Sequence, residues 1–252
     1  MGSASGEDIL ARPAATGGTV DPAWLYEGGG EMRARLRAFD WANSPLGQPG
    51  QWPPDLVNAL GQLLSSRAQI VLFCGPELNC FYNDAYTPVL GAKHPAALGR
   101  PAREVFAELW DVLSPLIEGV LRTGEAFWAT DHPFTVIRHG YPEETYFDVS
   151  YDPVRGASGT VDGVLGIVSD TTGRVVGERR LRLLGQLGSR LADVTDAAAL
   201  AREVARVLAD EPADVPFARV YLQPDNGRAG AGPLALAAWS GPAPADAVPA
   251  VV

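Results

Sequence analysis

The chain has 252 residues, 46% of them hydrophobic, enough to bury a core in one large domain or two small ones. Its net charge of −10 excludes the basic face expected of a nucleic-acid binder and disfavours an anionic membrane surface as partner. No window reaches the ~18 apolar residues of a membrane span, and the N-terminus has neither the basic nor the apolar region of a signal peptide, so a cytoplasmic protein is expected.

Residues 1–28 are rich in Gly, Ala, Ser, Thr and Pro. They bury too little apolar surface to offset ordering, so a disordered segment is expected, with Trp24, Leu25 and Tyr26 able to dock locally. Residues 29–66 read as a helical extension. Glu31 to Phe39 places Met32, Leu36 and Phe39 on one helical face. Asn43-Ser44-Pro45 and Gly47 break the pattern. Trp52-Pro53-Pro54-Asp55 restarts a helix whose apolar face is Leu56, Leu60, Leu63 and Leu64.

Ile70 to Phe73 and Cys80 to Tyr82 flank a turn, Gly75 to Asn79, and predict a hairpin. Asn83-Asp84 then opens a short helix carrying Tyr86, Val89 and Leu90. Two further helices follow, Arg103 to Leu109 and Asp111 to Arg122, the second stopped by Thr123-Gly124. Three strands come next: Ala126 to Arg138, whose alternation is imperfect, then Glu144 to Val154, then Val161 to Val168. Asp170-Thr171-Thr172 closes the last. Sequential strands joined by turns pair antiparallel. The expectation is an α+β domain over 67–172, a five-stranded antiparallel sheet with helices on one face.

This order resembles a PAS domain. Tyr82-Asn83-Asp84-Ala85-Tyr86 looks like the PAS step from strand to helix. Leu98-Gly99-Arg100-Pro101 is similar to the Gly-Arg step before the next PAS helix. Asp170-Thr171-Thr172 resembles the Asp-x-Thr that couples the last strand to an output helix. Asp40-Trp41, Ser44-Pro45-Leu46-Gly47 and Trp52-Pro53 resemble a segment preceding the PAS domain in bacterial sensor proteins, chiefly sensor histidine kinases. Residues 173–195 then read as a signalling helix, with Leu184, Leu187, Leu191 and Val194 as a short heptad seam for a homodimer. Residues 196–252 look like the start of a GAF domain: helix Asp193 to Asp210 with Leu200, Val204, Val207 and Leu208 on one face, then strands Pro216 to Leu222 and Leu234 to Trp239. A whole domain of that kind needs ~130 to 150 residues, so a partial, truncated segment is expected.

The resemblance implies a cavity between sheet and helices for a small-molecule ligand. Its candidate lining is Phe73, Tyr82, Tyr86, Phe106, Trp110, Phe127, Phe147 and Tyr151, and ordinary core packing is the plainer alternative for each. Asp170 and Thr172 would couple the domain to its output. Cys74 and Cys80 flank the hairpin turn and could form a redox pair, the plainer reading being two small apolar strand residues. No cofactor can be named. Asn79-Cys80-Phe81 lacks the Arg and Gln of the flavin-binding LOV motif and sits on a strand. His94 in a loop and His132 in a strand are poor haem ligands. With His139, the five Cys and His residues are too scattered for a metal site. No catalytic constellation is present: Gly156-Ala157-Ser158-Gly159 is not a nucleophile elbow, and Glu143-Glu144 point to opposite sides of a strand. The parent could be a histidine kinase or a phosphatase. The reading is a sensory and dimerisation module that relays a signal through its C-terminal helix; the rival is a scaffold that dimerises without a ligand.

Overall fold

The computed structural model describes residues 22–223 and 234–242, so the expected disorder of residues 1–21 and the Pro/Ala-rich C-terminal stretch lie outside them. The chain divides into two compact units at Thr172/Gly173.

In the first unit, Pro22–Tyr26 forms a 3-10 turn with Leu25 buried, so this end of the 1–28 segment is ordered where its apolar residues dock. Leu25 is held because Arg33 of the next helix donates to its carbonyl at 2.5 Å and to Ser65 Oγ at 2.9 Å. Helix α1 is Glu31–Ala38, with Met32 and Leu36 buried as the periodicity predicts. Helix α2 is Pro54–Ser65. It buries Val57, Leu60 and Leu63, while Leu56 and Leu64 are only half-buried.

Strands β1 (Gln69–Cys74) and β2 (Asn79–Tyr82) form the expected hairpin. Short helices α3 (Thr87–Leu90) and α4 (Ala102–Val105) and the longer α5 (Trp110–Thr123) follow. Strands β3 (Phe127–Ile137), β4 (Pro142–Arg155) and β5 (Val161–Asp170) complete one antiparallel sheet in the order β2-β1-β5-β4-β3.

The two sheet faces are covered differently. Val71, Phe73, Val149, Tyr151, Val164 and Val168 belong to the face under α3 to α5. Leu72 and Cys74 point the other way, and there they meet Leu46, Trp52 and Leu56 of the extension. Every β2 residue is therefore buried, and nearly every β1 residue, instead of alternating. An edge hairpin reads as a continuous apolar run when both of its faces are covered. Trp41 joins the extension to the sheet. Its ring stacks on Phe81 with centroids 5.7 Å apart, meets Trp52 edge-on at 4.8 Å, and its indole N–H donates to Leu36 O at 2.8 Å.

β3 explains its own poor alternation. Its register with β4 slips between Ala129 and His132, and Asp131 takes φ 49°. One residue is inserted, as in a β-bulge. The bulge amide is satisfied by Asp148 Oδ1 at 2.9 Å. Beyond it His132, Phe134 and Val136 face the core, where strict alternation from Phe127 would have placed Asp131, Pro133 and Thr135.

In the second unit, helix α6 is Thr172–Leu191 and helix α7 is Ala197–Ala209, capped by Asp196, which accepts from Ala199 N at 2.6 Å. Strands β6 (Ala218–Leu222) and β7 (Ala235–Ser240) pair antiparallel. α7 buries Ala201, Ala205 and Val207, while Leu200 is exposed. On α6 it is Leu183 that is buried, at 6% exposure, whereas Leu181 and Leu184 are 70% and 62% exposed. Val194 lies beyond the helix end. The outward side thus carries Leu181 and Leu184, while Leu187, Leu191 and Val194 are half-buried. α6 is fixed within its unit by Arg179 and Arg180, which both pair with Asp214 at 2.6 and 3.1 Å.

Candidate functional site

Asn83 and Asp84 organise the approach to the candidate cavity. The Asn83 side chain accepts from Ile70 N at 3.2 Å and Tyr86 N at 3.1 Å. It also donates to the carbonyls of Leu63, Ser66 and Ala68 at 3.2, 3.1 and 2.7 Å. One amide therefore caps the turn that carries Tyr86 and binds the end of α2. Asp84 does the same for α1, its Oδ1 accepting from Met32 N at 2.8 Å in the first turn of that helix, where a carboxylate is favoured.

The cavity lies between the sheet and α3 to α5. Of the residues singled out in the sequence, Phe73, Tyr86, Phe106, Phe147 and Tyr151 line it. The others do not. Tyr82 is directed to His94, with its hydroxyl 3.0 Å from Nδ1, and His94 Nε2 reaches Glu31 Oε1 at 3.1 Å. Trp110 packs from the start of α5, and Phe127 stacks on Tyr151 with centroids 6.2 Å apart. Phe134 and Val136 line the cavity but were missed, because the bulge hides their parity.

The lining carries no charged residue, and its polar groups are the hydroxyls of Tyr86 and Tyr151. Burial raises the pKa of both, so both are neutral phenols. The cavity volume is about 30 Å³. A water needs ~10–15 Å³ by that measure, whereas ligand pockets run to roughly 300–1,000 Å³. In this conformation the cavity admits water-sized guests only.

The two cysteines are not brought together. Phe73 pairs with Cys80 and Cys74 with Asn79, so the thiols alternate to opposite faces of the hairpin and cannot bridge without backbone movement. Both are free and buried, and burial pushes the Cys74 thiol up to about 12 and Cys80 well above the ordinary value. His132 packs edge-on against Phe134, with centroids 4.8 Å apart.

Where β5 becomes α6, Asp170 and Thr172 form a latch. Asp170 Oδ2 accepts from Arg138 Nη1 at 2.8 Å and its Oδ1 accepts from Thr172 N at 2.9 Å. Thr172 Oγ1 accepts from Tyr146 N at 3.0 Å, and Thr171 N donates to Tyr146 O at 2.8 Å. Arg138 also approaches Glu143 at 3.5 Å, so the β3–β4 hairpin and the start of α6 share one ionic cluster. The hairpin is seated by Ala92 N, which donates to Arg138 O at 2.9 Å; at Gly91, φ 54°, a Cβ would lie 2.5 Å from that carbonyl.

Partial burial by itself raises the Asp170 pKa, but hydrogen bonds from Thr172 and Arg138 outweigh it and hold the carboxyl below its usual 3.8. A depressed pKa contributes stability above the unfolded value that is lost as pH falls through the folded one. The latch should hold above pH ~4 and open under more acid conditions. The protection factor of the Thr172 amide, measured against its intrinsic exchange rate from neutral pH downward, should fall in that window, and Asp170→Asn should abolish the acid dependence.

Residues 64–176 match the family model described as PAS fold. This segment is a PAS domain, and its sheet and crossover helices are those expected from the sequence. Among solved structures, similarity is found to the sensory box sensor histidine kinase from Vibrio cholerae, at 19% identity over 46% of this chain and 89% of that one, TM-score 0.33. The PAS domain of BvgS from Bordetella pertussis is similar at 22% identity over 49% of this chain and 91% of that one, TM-score 0.30. An RNA-binding Light-Oxygen-Voltage receptor matches at 21% identity over 58% of this chain, TM-score 0.37, and the chain spans 42% of that protein's length.

Proposed function

We propose that this chain is the sensory and regulatory part of a bacterial two-component-type signalling protein, of the sensor histidine kinase kind, working in the cytoplasm. The observation that carries this reading is the latch at Asp170 and Thr172, where the last sheet strand enters α6 under the grip of Arg138 and Tyr146. A packing change in the sheet that moves Tyr146 or Arg138 biases the start of α6, and a ligand or partner acts by preferring one packing over the other. Helix α7 with the β6–β7 hairpin supports the start of a GAF domain as the next element in the relay. Among the described residues no helix is long and apolar enough to cross a membrane.

The relay works between two copies. The exposed Leu181 and Leu184 of α6 form the contact, with the half-buried Leu191 one heptad beyond Leu184. Leu181→Glu with Leu184→Glu should convert a dimer to a monomer in light scattering. A wild-type chain that stays monomeric across the concentration series would remove this arrangement.

A ligand for the cavity must be neutral and mostly apolar, because the lining has no charge to pair with an ion. The volume of about 30 Å³ favours a second reading, a PAS scaffold that dimerises without a ligand. Mass spectrometry of a denatured extract separates the two. A stoichiometric apolar molecule supports the sensor, and a clean extract supports the scaffold.

A further inference from the structure

A roomier, partly open space lies on the opposite side of the sheet. A cleft of about 220 Å³ separates the extension from the outer face of β1, β4 and β5. Leu72 and Cys74 form its floor, and Leu46, Trp52 and Leu56 its roof. Gly163 keeps the floor open: a Cβ there would lie 2.8 Å from Phe73 O and 3.3 Å from Cys74 Cβ. The Trp52 indole N–H is committed to the carbonyls of Leu46 and Gly47 at 3.0 and 3.1 Å, so the ring offers the cleft carbon rather than a donor.

The mouth is negative. Asp55 stands in the first turn of α2 with no hydrogen bond or ion pair among the described residues. Asp162 accepts from Thr160 Oγ1 at 2.8 Å, which leaves its charge uncancelled. No lysine, arginine or histidine lines the cleft. The space exceeds the ~150 Å³ cavity that accommodates benzene in an engineered core and falls short of drug-sized pockets of roughly 300 Å³ and more.

We infer that this cleft binds a small organic cation: one apolar ring or short chain seated against Leu46, Leu56 and the edge of Trp52, with an ammonium group at Asp55 and Asp162. Occupancy would bridge the extension to β1 and the β4–β5 hairpin, so it would stabilise the docked extension by mass action. This inference is independent of the relay proposed above, since binding is read at Trp52 whatever the output.

The test uses the full chain and three isosteric probes: benzylamine, benzyl alcohol and benzoate. Binding is followed on the Trp52 indole N–H resonance, assigned with Trp52→Phe. Benzylamine is expected to bind about tenfold tighter than benzyl alcohol, as two rim carboxylates and an aromatic neighbour allow, and benzoate weakest. Asp55→Asn with Asp162→Asn should bring benzylamine down to the affinity of the alcohol. Leu56→Trp, at a half-exposed position that tolerates a larger side chain, should fill the cleft and abolish binding of both. Equal binding of the three probes overturns the inference. So does a benzylamine preference that survives the double substitution, a shift confined to Tyr86 and Tyr151, or no binding at millimolar probe.

Discussion

Asn83→Ala should destabilise the first unit by about 3–5 kcal/mol, the largest effect expected of any single polar substitution here. The side chain is 2% exposed and serves five backbone groups from four places: the end of α2, the 66–68 connection, β1 and the turn carrying Tyr86. Alanine withdraws the partner of buried Ile70 N and of the Ser66 and Ala68 carbonyls, while Tyr86 N keeps Asn83 O and Leu63 O keeps Ser66 N, at roughly 1–3 kcal/mol for each group left buried and unpaired. Asn83→Asp should be no milder. It keeps the acceptor for Ile70 and Tyr86 but turns a carboxylate oxygen toward three carbonyls. Urea unfolding followed by circular dichroism reads the loss. A change below about 1 kcal/mol would mean that the loops rearrange to satisfy themselves and that Asn83 is not the keystone described.

Trp41→Ala should cost about 3–4 kcal/mol, with a different signature. The indole fills the junction between the extension and β2, so its loss leaves a cavity bordered by Trp52 and Phe81 and orphans Leu36 O. The extension should loosen first, because the helices over the cavity touch the other sheet face. Cys74 reports this directly. Its thiol is buried beneath the extension and held near 12, so it should resist a thiol reagent in the wild type and react once the cover loosens. Cys80 faces the α3 to α5 side and should stay protected. Simultaneous reaction of both would show that the two sides of the sheet unfold together.

Local signals carried most of the architecture. The hairpin turn, Asn83 as a cap, Gly124 at the end of α5 and the strand boundaries were all legible, because turn and cap residues act within a few positions of themselves. The cavity was legible only in part. Phe73, Tyr86, Phe106, Phe147 and Tyr151 follow from simple alternation and helical spacing, but Phe134 and Val136 sit past a bulge that no local pattern marks. Tyr82 lay in the right motif, yet its hydroxyl is taken by His94, a residue brought close by the fold.

The sequence by itself determined the order and type of the elements, the PAS character of 64–176, and the Asp170-Thr171-Thr172 motif at the end of the last strand. Those rest on periodicity and on short motifs whose physics is local. The tertiary structure alone decided which faces are used. A one-residue register offset sent Cys74 and Cys80 to opposite sides, and α6 buried Leu183 while Leu181 and Leu184 stayed outside. It also decided that the extension would cover the outer face of β1 and leave a second cleft there. Each of these depends on which surfaces meet at long sequence separation, and side-chain pattern along one segment does not encode that.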